Sequence, residues 1–172
     1  GKLYTPQNTL VSFEILNASP ILERVLLPII EKMKKIGVQA NVRTLDPAQN
    51  IRRLNDFDYD MIVGAWSQSS SPGNEQREFW SSHAADRKGS RNYAGIKDPV
   101  IDDLIERLIF AKNRSDLIAS SKVLDRVLRF KQFTIPMWHS PYDRIAYWDK
   151  FGLPPQINSY GANGNVLFWW SK

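Results

Sequence analysis

Along the first third of the chain the hydrophobic pattern switches repeatedly between a period of two and one of about 3.6 residues. Leu10 to Leu16 alternates as a strand does, and Asn17-Ala18-Ser19-Pro20 then supplies a Ser cap with Pro at the first helical position. From Pro20 the apolar residues Ile21, Leu22, Val25, Leu26, Ile29, Ile30, Met33 and Ile36 recur at helical spacing until Gly37. Pro28 lies inside that pattern, which predicts a kink or two helical pieces meeting at Leu27. Val38 to Leu45 alternates again, Asp46-Pro47 repeats the cap-then-Pro signal for a short helix to about Leu54, and Tyr59 to Trp66 reads as a buried strand. Strands joined by helices of this length pair in parallel, and ligands gather beyond the carboxyl ends of such strands.

The stretch after Trp66 breaks the pattern. Ser67-Gln68-Ser69-Ser70-Ser71-Pro72-Gly73-Asn74-Glu75 opens a segment running to Lys97 without a sustained period, which predicts a loop of about 30 residues, far longer than an ordinary connection. Loops of that length in compact domains are functional or disordered. Trp66, Phe79, Trp80 and Tyr93, in or beside it, argue for a loop that packs or binds. Beyond it, Asp98-Pro99 opens a helix with Val100, Ile101, Leu104, Ile105, Leu108 and Ile109 as its apolar face. Asn113-Arg114-Ser115 separates it from a second helix carrying Leu117, Ile118, Val123, Leu124, Val127 and Leu128. The two form an antiparallel pair expected to cover one face of the sheet. Phe133 to His139 and Arg144 to Trp148 read as strands about a turn at Ser140-Pro141-Tyr142-Asp143. A tail from Asp149, rich in Pro, Gly and Asn, ends in Val166-Leu167-Phe168-Trp169-Trp170, an apolar run expected to dock on another surface.

Composition narrows the function classes. The 172 residues are 42% hydrophobic and 24% charged, an ordinary globular balance with enough length for a sizeable core. No apolar run approaches the roughly 18 residues of a membrane span. The chain opens with Gly1-Lys2-Leu3 and shows no signal segment, as expected of a trimmed start. With no cysteine, disulfides, thiol catalysis and thiolate metal sites are excluded. The net charge of +5 comes from Lys and Arg interleaved with Asp and Glu, so nucleic acid is not expected as a partner. Six Trp in so short a chain favour a surface that holds a ligand.

Candidate chemistry concentrates in the long loop. No Gly-rich phosphate loop, nucleophile elbow or His pair at metal-ligand spacing is present, so neither metal nor cofactor is expected. His83 with Glu78 or Asp86 could be drawn as a hydrolytic or metal site, but a lone His near carboxylates reads first as a surface histidine. His139 beside Trp138 reads as structural. Ser69, Ser70, Ser71, Pro72, Gly73 and Asn74 are all turn formers, yet at a strand end they offer hydroxyls, amides and free backbone groups to a polar ligand, with Trp66 as a wall. Arg77, Arg87 and Arg91 could pair a ligand carboxylate.

The order of elements and several strings resemble the extracellular solute-binding proteins of peptide-type ABC importers, family 5. They are Tyr59-Asp60-Met61-Ile62-Val63-Gly64-Ala65-Trp66, then Asn92-Tyr93-Ala94-Gly95 with Asp98-Pro99-Val100-Ile101-Asp102-Asp103-Leu104-Ile105, then Ile135-Pro136-Met137-Trp138. Together they cover about residues 10 to 150. Ser69 to Trp80 is similar to the Yej-type branch, associated with oligopeptide and microcin uptake. The resemblance implies an α/β, type II periplasmic-binding-protein lobe with a mostly parallel sheet flanked by helices. Residues 1–148 would be the second lobe of a two-lobed protein and 149–172 a tail that docks on the absent first lobe. It implies binding without bond chemistry, an interlobe cleft for a peptide or peptide-like ligand, hinge closure, periplasmic location after export and delivery to a membrane permease.

The ligand residues that the resemblance and the loop chemistry together suggest are Trp66, Gln68, Ser69, Ser70, Ser71, Asn74, Glu75, Arg77, Arg91, Asn92 and Tyr93. In oligopeptide-binding relatives an Asp three residues after the strand-end Trp pairs the peptide amine. Ser69 stands there instead, which leaves amine recognition to Glu75 or another group, or implies a ligand not held by a free amine. Two other classes stay open at this level: a ligand-sensing lobe of a regulator, and a hydrolase built on His83 with Glu78 or Asp86.

Overall fold

A computed structural model of the chain describes residues 1–137, 146, 148–152 and 170–171. Of the strand expected at 133–139, residues 133–137 are described and form no strand, with Ile135 and Met137 exposed rather than packed. Residues 138–139, the turn at 140–143, most of the strand expected at 144–148 and all but Trp170 of the apolar end at 166–170 lie outside the described residues. Two units result, Gly1–Phe133 and Thr134–Lys172. In the second, β4 (Phe151–Gly152) pairs antiparallel with β5 (Trp170–Ser171), and Gly152 lies so close to the Trp170 indole that no Cβ would fit.

In the first unit, β1 (Ser12–Asn17), α1 (Pro20–Lys35), β2 (Gln39–Thr44), α2 (Pro47–Asp56) and β3 (Met61–Ile62) follow the predicted alternation. Both β2 and β3 pair in parallel with β1, giving the order β2-β1-β3. Asp46 caps α2 by accepting from the Ala48 and Gln49 amides, each at 3.0 Å. Ile15, Leu26, Ile30 and Ala40 form the core between α1 and one sheet face, joined by Phe13, Val42 and Met61. Across the other face Glu14 pairs with Arg53 of α2 at 2.9 Å. Gly37 ends α1 with φ +86°, and a Cβ there would stand 2.8 Å from the Leu3 amide nitrogen, so only glycine fits the turn.

Four further expectations change. Helix α1 runs unbroken through Pro28 rather than as two pieces. Pro28 and Arg24 are both exposed, so water can satisfy the carbonyl that loses its donor. Among the described residues, the strand predicted from Tyr59 to Trp66 pairs only over Met61–Ile62 and is half-buried, since β3 there has a neighbour on one side only. The Asp60 carboxylate accepts from the Glu14 amide at 2.9 Å just before the pairing begins.

The loop after Trp66 is not structureless either. It contains α3 (Glu75–Trp80) and α4 (Ser82–Ala85), too short for a periodicity to register. The helices α5 (Pro99–Ile109) and α6 (Arg114–Phe130) pack together as expected, but their apolar faces close on the loop rather than on the sheet. Ile101, Ile105, Leu108 and Leu124 surround Phe79, Trp80 and Ile96, a core distinct from that of α1 and the sheet. The loop aromatics supply the apolar surface that this helix pair needs. No described helix is long and apolar enough to cross a membrane.

Candidate functional site

The order β2-β1-β3 makes the chain depart from β1 toward one side of the sheet and return on the other, a switch point at the carboxyl ends of β1 and β3 of the kind where ligands bind in open α/β sheets. On the β1 side Asn17 is buried. Its amide donates to the Ser19 carbonyl at 2.8 Å and to the Thr44 hydroxyl at 3.1 Å, while its oxygen accepts from the Ser19 amide. Thr44 in turn donates to Glu23 at 2.6 Å. On the β3 side Val63 to Trp66 leads directly into the long loop.

Trp66 anchors that loop. Its indole N–H donates to the Arg91 carbonyl at 2.9 Å, and its ring lies 4.6 Å from that of Trp80 and 5.7 Å from that of Tyr93, centroid to centroid. The three rings form a wall in which Trp66 and Tyr93 are half-buried and Trp80 is buried, with Trp66 and Trp80 part of the loop core. Tyr59 donates its hydroxyl to the Tyr93 carbonyl at 2.9 Å. Burial, with the nearby Tyr93, pushes the Tyr59 phenol up to about 12.

Asn92 holds the far end of the loop. It is wholly buried (0% exposed), donates to the carbonyls of Ser81 at 2.9 Å and Ile96 at 3.0 Å, and accepts from the Ile96 amide at 2.9 Å. Ser90, also buried, donates to the Ala84 carbonyl at 2.6 Å. These bonds close α4 and the 90–96 turn onto each other, so Asn92 in this structure serves the loop's shape.

The polar residues nominated from sequence divide into committed and open groups. Arg77 forks onto Glu106 at 2.7 and 2.6 Å and donates to Asn74 Oδ1 at 2.7 Å. Arg91 lies over the Phe79 ring, 4.7 Å from its centroid, and reaches the Ala65 carbonyl at 3.2 Å. Glu75 accepts from the Gly73 amide at 2.8 Å and from Gln76 at 3.2 Å. Burial alone would raise the Glu75 carboxyl, but those donors and its own backbone amide outweigh it and hold the group below the usual carboxylate range. Gln68, Ser69, Ser70 and Ser71 remain exposed at the surface of the loop.

Sequence reasoning missed residues that shape this surface. Arg114, at the start of α6, donates to the Ser70 carbonyl at 2.7 Å and reaches the Ser71 hydroxyl at 3.3 Å. With Ser69, Ser70, Pro72, Leu117 and Lys122 it lines a shallow groove of about 260 Å³. Nothing local in the sequence ties Arg114 to a loop more than 40 residues earlier. Gln76, buried with its amide bonded to Trp80 and Gln68, carried a faint signal as a polar residue in an aromatic stretch.

His83 lies in a larger groove, about 460 Å³, with Glu78, Arg87, Asp102 and Glu106. The acids there are already engaged: Glu78 with Arg87, Glu106 with Arg77, and Asp102 with the Ser82 amide at 2.8 Å. Asp86 pairs with Lys97 at 2.6 Å. Among the described residues no His and acid cluster could hold a metal ion, and none orients His83 as a base.

Against known proteins, no family model matches the chain. Individual proteins do. The protein y4wM of Sinorhizobium fredii, named as uncharacterized, is 52% identical over 161 residues, covering 94% of this chain and 24% of its own length. YejA of Agrobacterium fabrum, named a probable peptide-binding protein, is 42% identical over 161 residues, covering 94% of this chain and 26% of its own. This chain is homologous to part of the YejA-type binding proteins. It spans about a quarter of the length of these curated relatives. Among solved structures, the oligopeptide-binding protein AppA of Bacillus subtilis in complex with a nonapeptide superposes with a TM-score of 0.71 at 16% identity. The match covers 98% of this chain and 33% of AppA. The chain therefore has the fold of part of a type II periplasmic binding protein, an α/β unit with a parallel sheet flanked by helices. The YejA-type relatives whose names state a role are binding proteins rather than enzymes.

Proposed function

We propose that this chain supplies one wall of the ligand cleft in the substrate-binding component of an ABC importer, which takes oligopeptides or peptide-like solutes and delivers them to a membrane permease. The observation that carries this reading is the polar loop with its Trp66–Trp80–Tyr93 wall, standing at the carboxyl ends of β1 and β3 where the strand order reverses. Open hydroxyls, amides and backbone groups beside aromatic rings bind a peptide main chain while tolerating varied side chains.

Within the nominated set, Gln68, Ser69, Ser70 and Ser71 make direct ligand contacts, and Trp66 and Tyr93 form the wall. Asn74, Glu75, Arg77, Arg91 and Asn92 hold the loop in place for them. The ligand closes between this wall and a first lobe of the same protein, which is periplasmic. Catalysis has no part in the role, since the acids around His83 are engaged by cations and amides. A sensing role uses the same cleft and differs only in what the closed form contacts.

The test is mass spectrometry, native and denaturing, of a two-lobed protein carrying this chain, purified without refolding, with the 172-residue chain as control. Peptides released from the two-lobed protein and not from the control support the carrier. A protein that stays empty after incubation with peptide mixtures, and gains no thermal stability from them, overturns the peptide reading.

A further inference from the structure

The hydrogen bonds behind Gln68 have a direction set by chemistry. An indole N–H can only donate, so the Gln76 atom 3.0 Å from Trp80 Nε1 is the amide oxygen. The Gln76 nitrogen must then face the other way. It lies 2.7 Å from one side-chain atom of Gln68 and 3.2 Å from Glu75 Oε1, so the Gln68 atom it meets is the oxygen. Gln76 is 3% exposed, with both ends of its amide engaged. Gln68 is exposed, its oxygen is turned inward, and its Nε2 has no hydrogen-bond partner among the described residues.

We propose that Gln68 is a donor-only reader of carbonyl and carboxylate oxygens on the bound solute, and that Gln76 is the positioning residue that keeps it so. This rests on the reading of the loop as a ligand wall. Rotating the Gln68 amide to present its oxygen would set two amide nitrogens against each other. Rotating Gln76 as well would leave the buried Trp80 N–H facing a nitrogen. Gln68 therefore welcomes an acceptor and rejects a donor at the same point, which disfavours an ammonium group there. Arg114, whose guanidinium bonds the serine run, also carries donors only. The ligand class is one that shows oxygen acceptors to the loop, as a peptide main chain does.

The experiment uses a labelled two-lobed protein carrying this chain, with trialanine as the probe. In the unliganded protein, slow water exchange of the Gln76 side-chain amide hydrogens and fast exchange of those of Gln68 are expected. Slow exchange at Gln68 overturns the orientation. Trialanine titrated to millimolar concentration is then followed by amide shifts in the unaltered protein, in Gln68→Glu and in Gln68→Met. Gln68→Glu keeps the oxygen that Gln76 reaches and replaces the outward NH2 by oxygen, while Gln68→Met removes the donor without adding charge. Affinity should fall about tenfold or more in Gln68→Glu and less in Gln68→Met. Equal affinity in all three overturns the reader's role. If trialanine shifts nothing in the unaltered two-lobed protein, the reader's role is overturned, while the peptide reading stands or falls by the mass spectrometry above and the exchange pattern still decides the orientation by itself.

Discussion

Replacing Asn92 by Ala tests whether the loop owes its shape to one buried amide. The substitution removes two donated bonds, to Ser81 O and Ile96 O, and one accepted bond, from Ile96 N. Ser81 is only partly buried, so its carbonyl can find water. Ile96 is 1% exposed, and both its backbone groups would be left unpaired. At about 1–3 kcal/mol for each orphaned buried group, the expected loss is roughly 2–6 kcal/mol, with the low end reached if a water enters the vacated space. Against a total stability of about 5–15 kcal/mol for an ordinary domain, that is a large fraction. Urea unfolding followed by tryptophan fluorescence measures it, since Trp66 and Trp80 lie in the same loop core. Asn92→Asp sharpens the test: it keeps the acceptor but turns an oxygen toward two carbonyls, so it should be worse than Ala at neutral pH and partly relieved in acid. An Asn92→Ala variant within about 1 kcal/mol of the parent would show that the loop is held by other contacts, and the reasoning would be wrong.

Three further outcomes are expected. Because the folded Glu75 carboxyl is held below its ordinary value of 4.5, it adds stability above that pH which is lost as pH falls through the folded value; Glu75→Gln should be less stable than the parent at neutral pH and converge with it in acid, as read by urea midpoints. Tyr59 has the opposite sign: its phenol is raised from 10.0 to about 12, so it favours the folded state below pH 10 and that contribution is lost as pH rises toward 12, a loss that Tyr59→Phe should abolish in alkaline unfolding. Gly37→Ala meets both a left-handed backbone and the Leu3 nitrogen, and should lower stability by about 1–3 kcal/mol in the same urea assay; a neutral result would mean that the turn relaxes freely.

Much of the architecture could be read from the chain alone, where local chemistry is enough. The Ser19-Pro20, Asp46-Pro47 and Asp98-Pro99 pairs mark helix starts because Pro needs no donor and suits the first helical turn. The alternating strands of β1 and β2 and their parallel pairing followed from period and from the helix between them. The strings near Trp66, Asn92 and Asp98 were enough to place the chain beside the peptide-type binding proteins, and its homology to YejA-type proteins agrees.

What only the tertiary structure decided depends on partners distant in sequence. How much of Tyr59 to Trp66 pairs depends on which strands reach it, and among the described residues only β1 does. Whether α5 and α6 cover the sheet or the loop depends on which apolar surface lies in reach, and Phe79 and Trp80 supplied it. The division of Arg77, Arg91 and Asn92 from Gln68 and the serines rests on Glu106, Phe79, Ile96 and Arg114, none of which a local pattern names. Composition and period determine which segments are helix, strand or loop, because those choices are made within a few residues. Which polar group in a loop is free to meet a ligand is decided by what has already taken its hydrogen bonds, and that is a property of the folded chain.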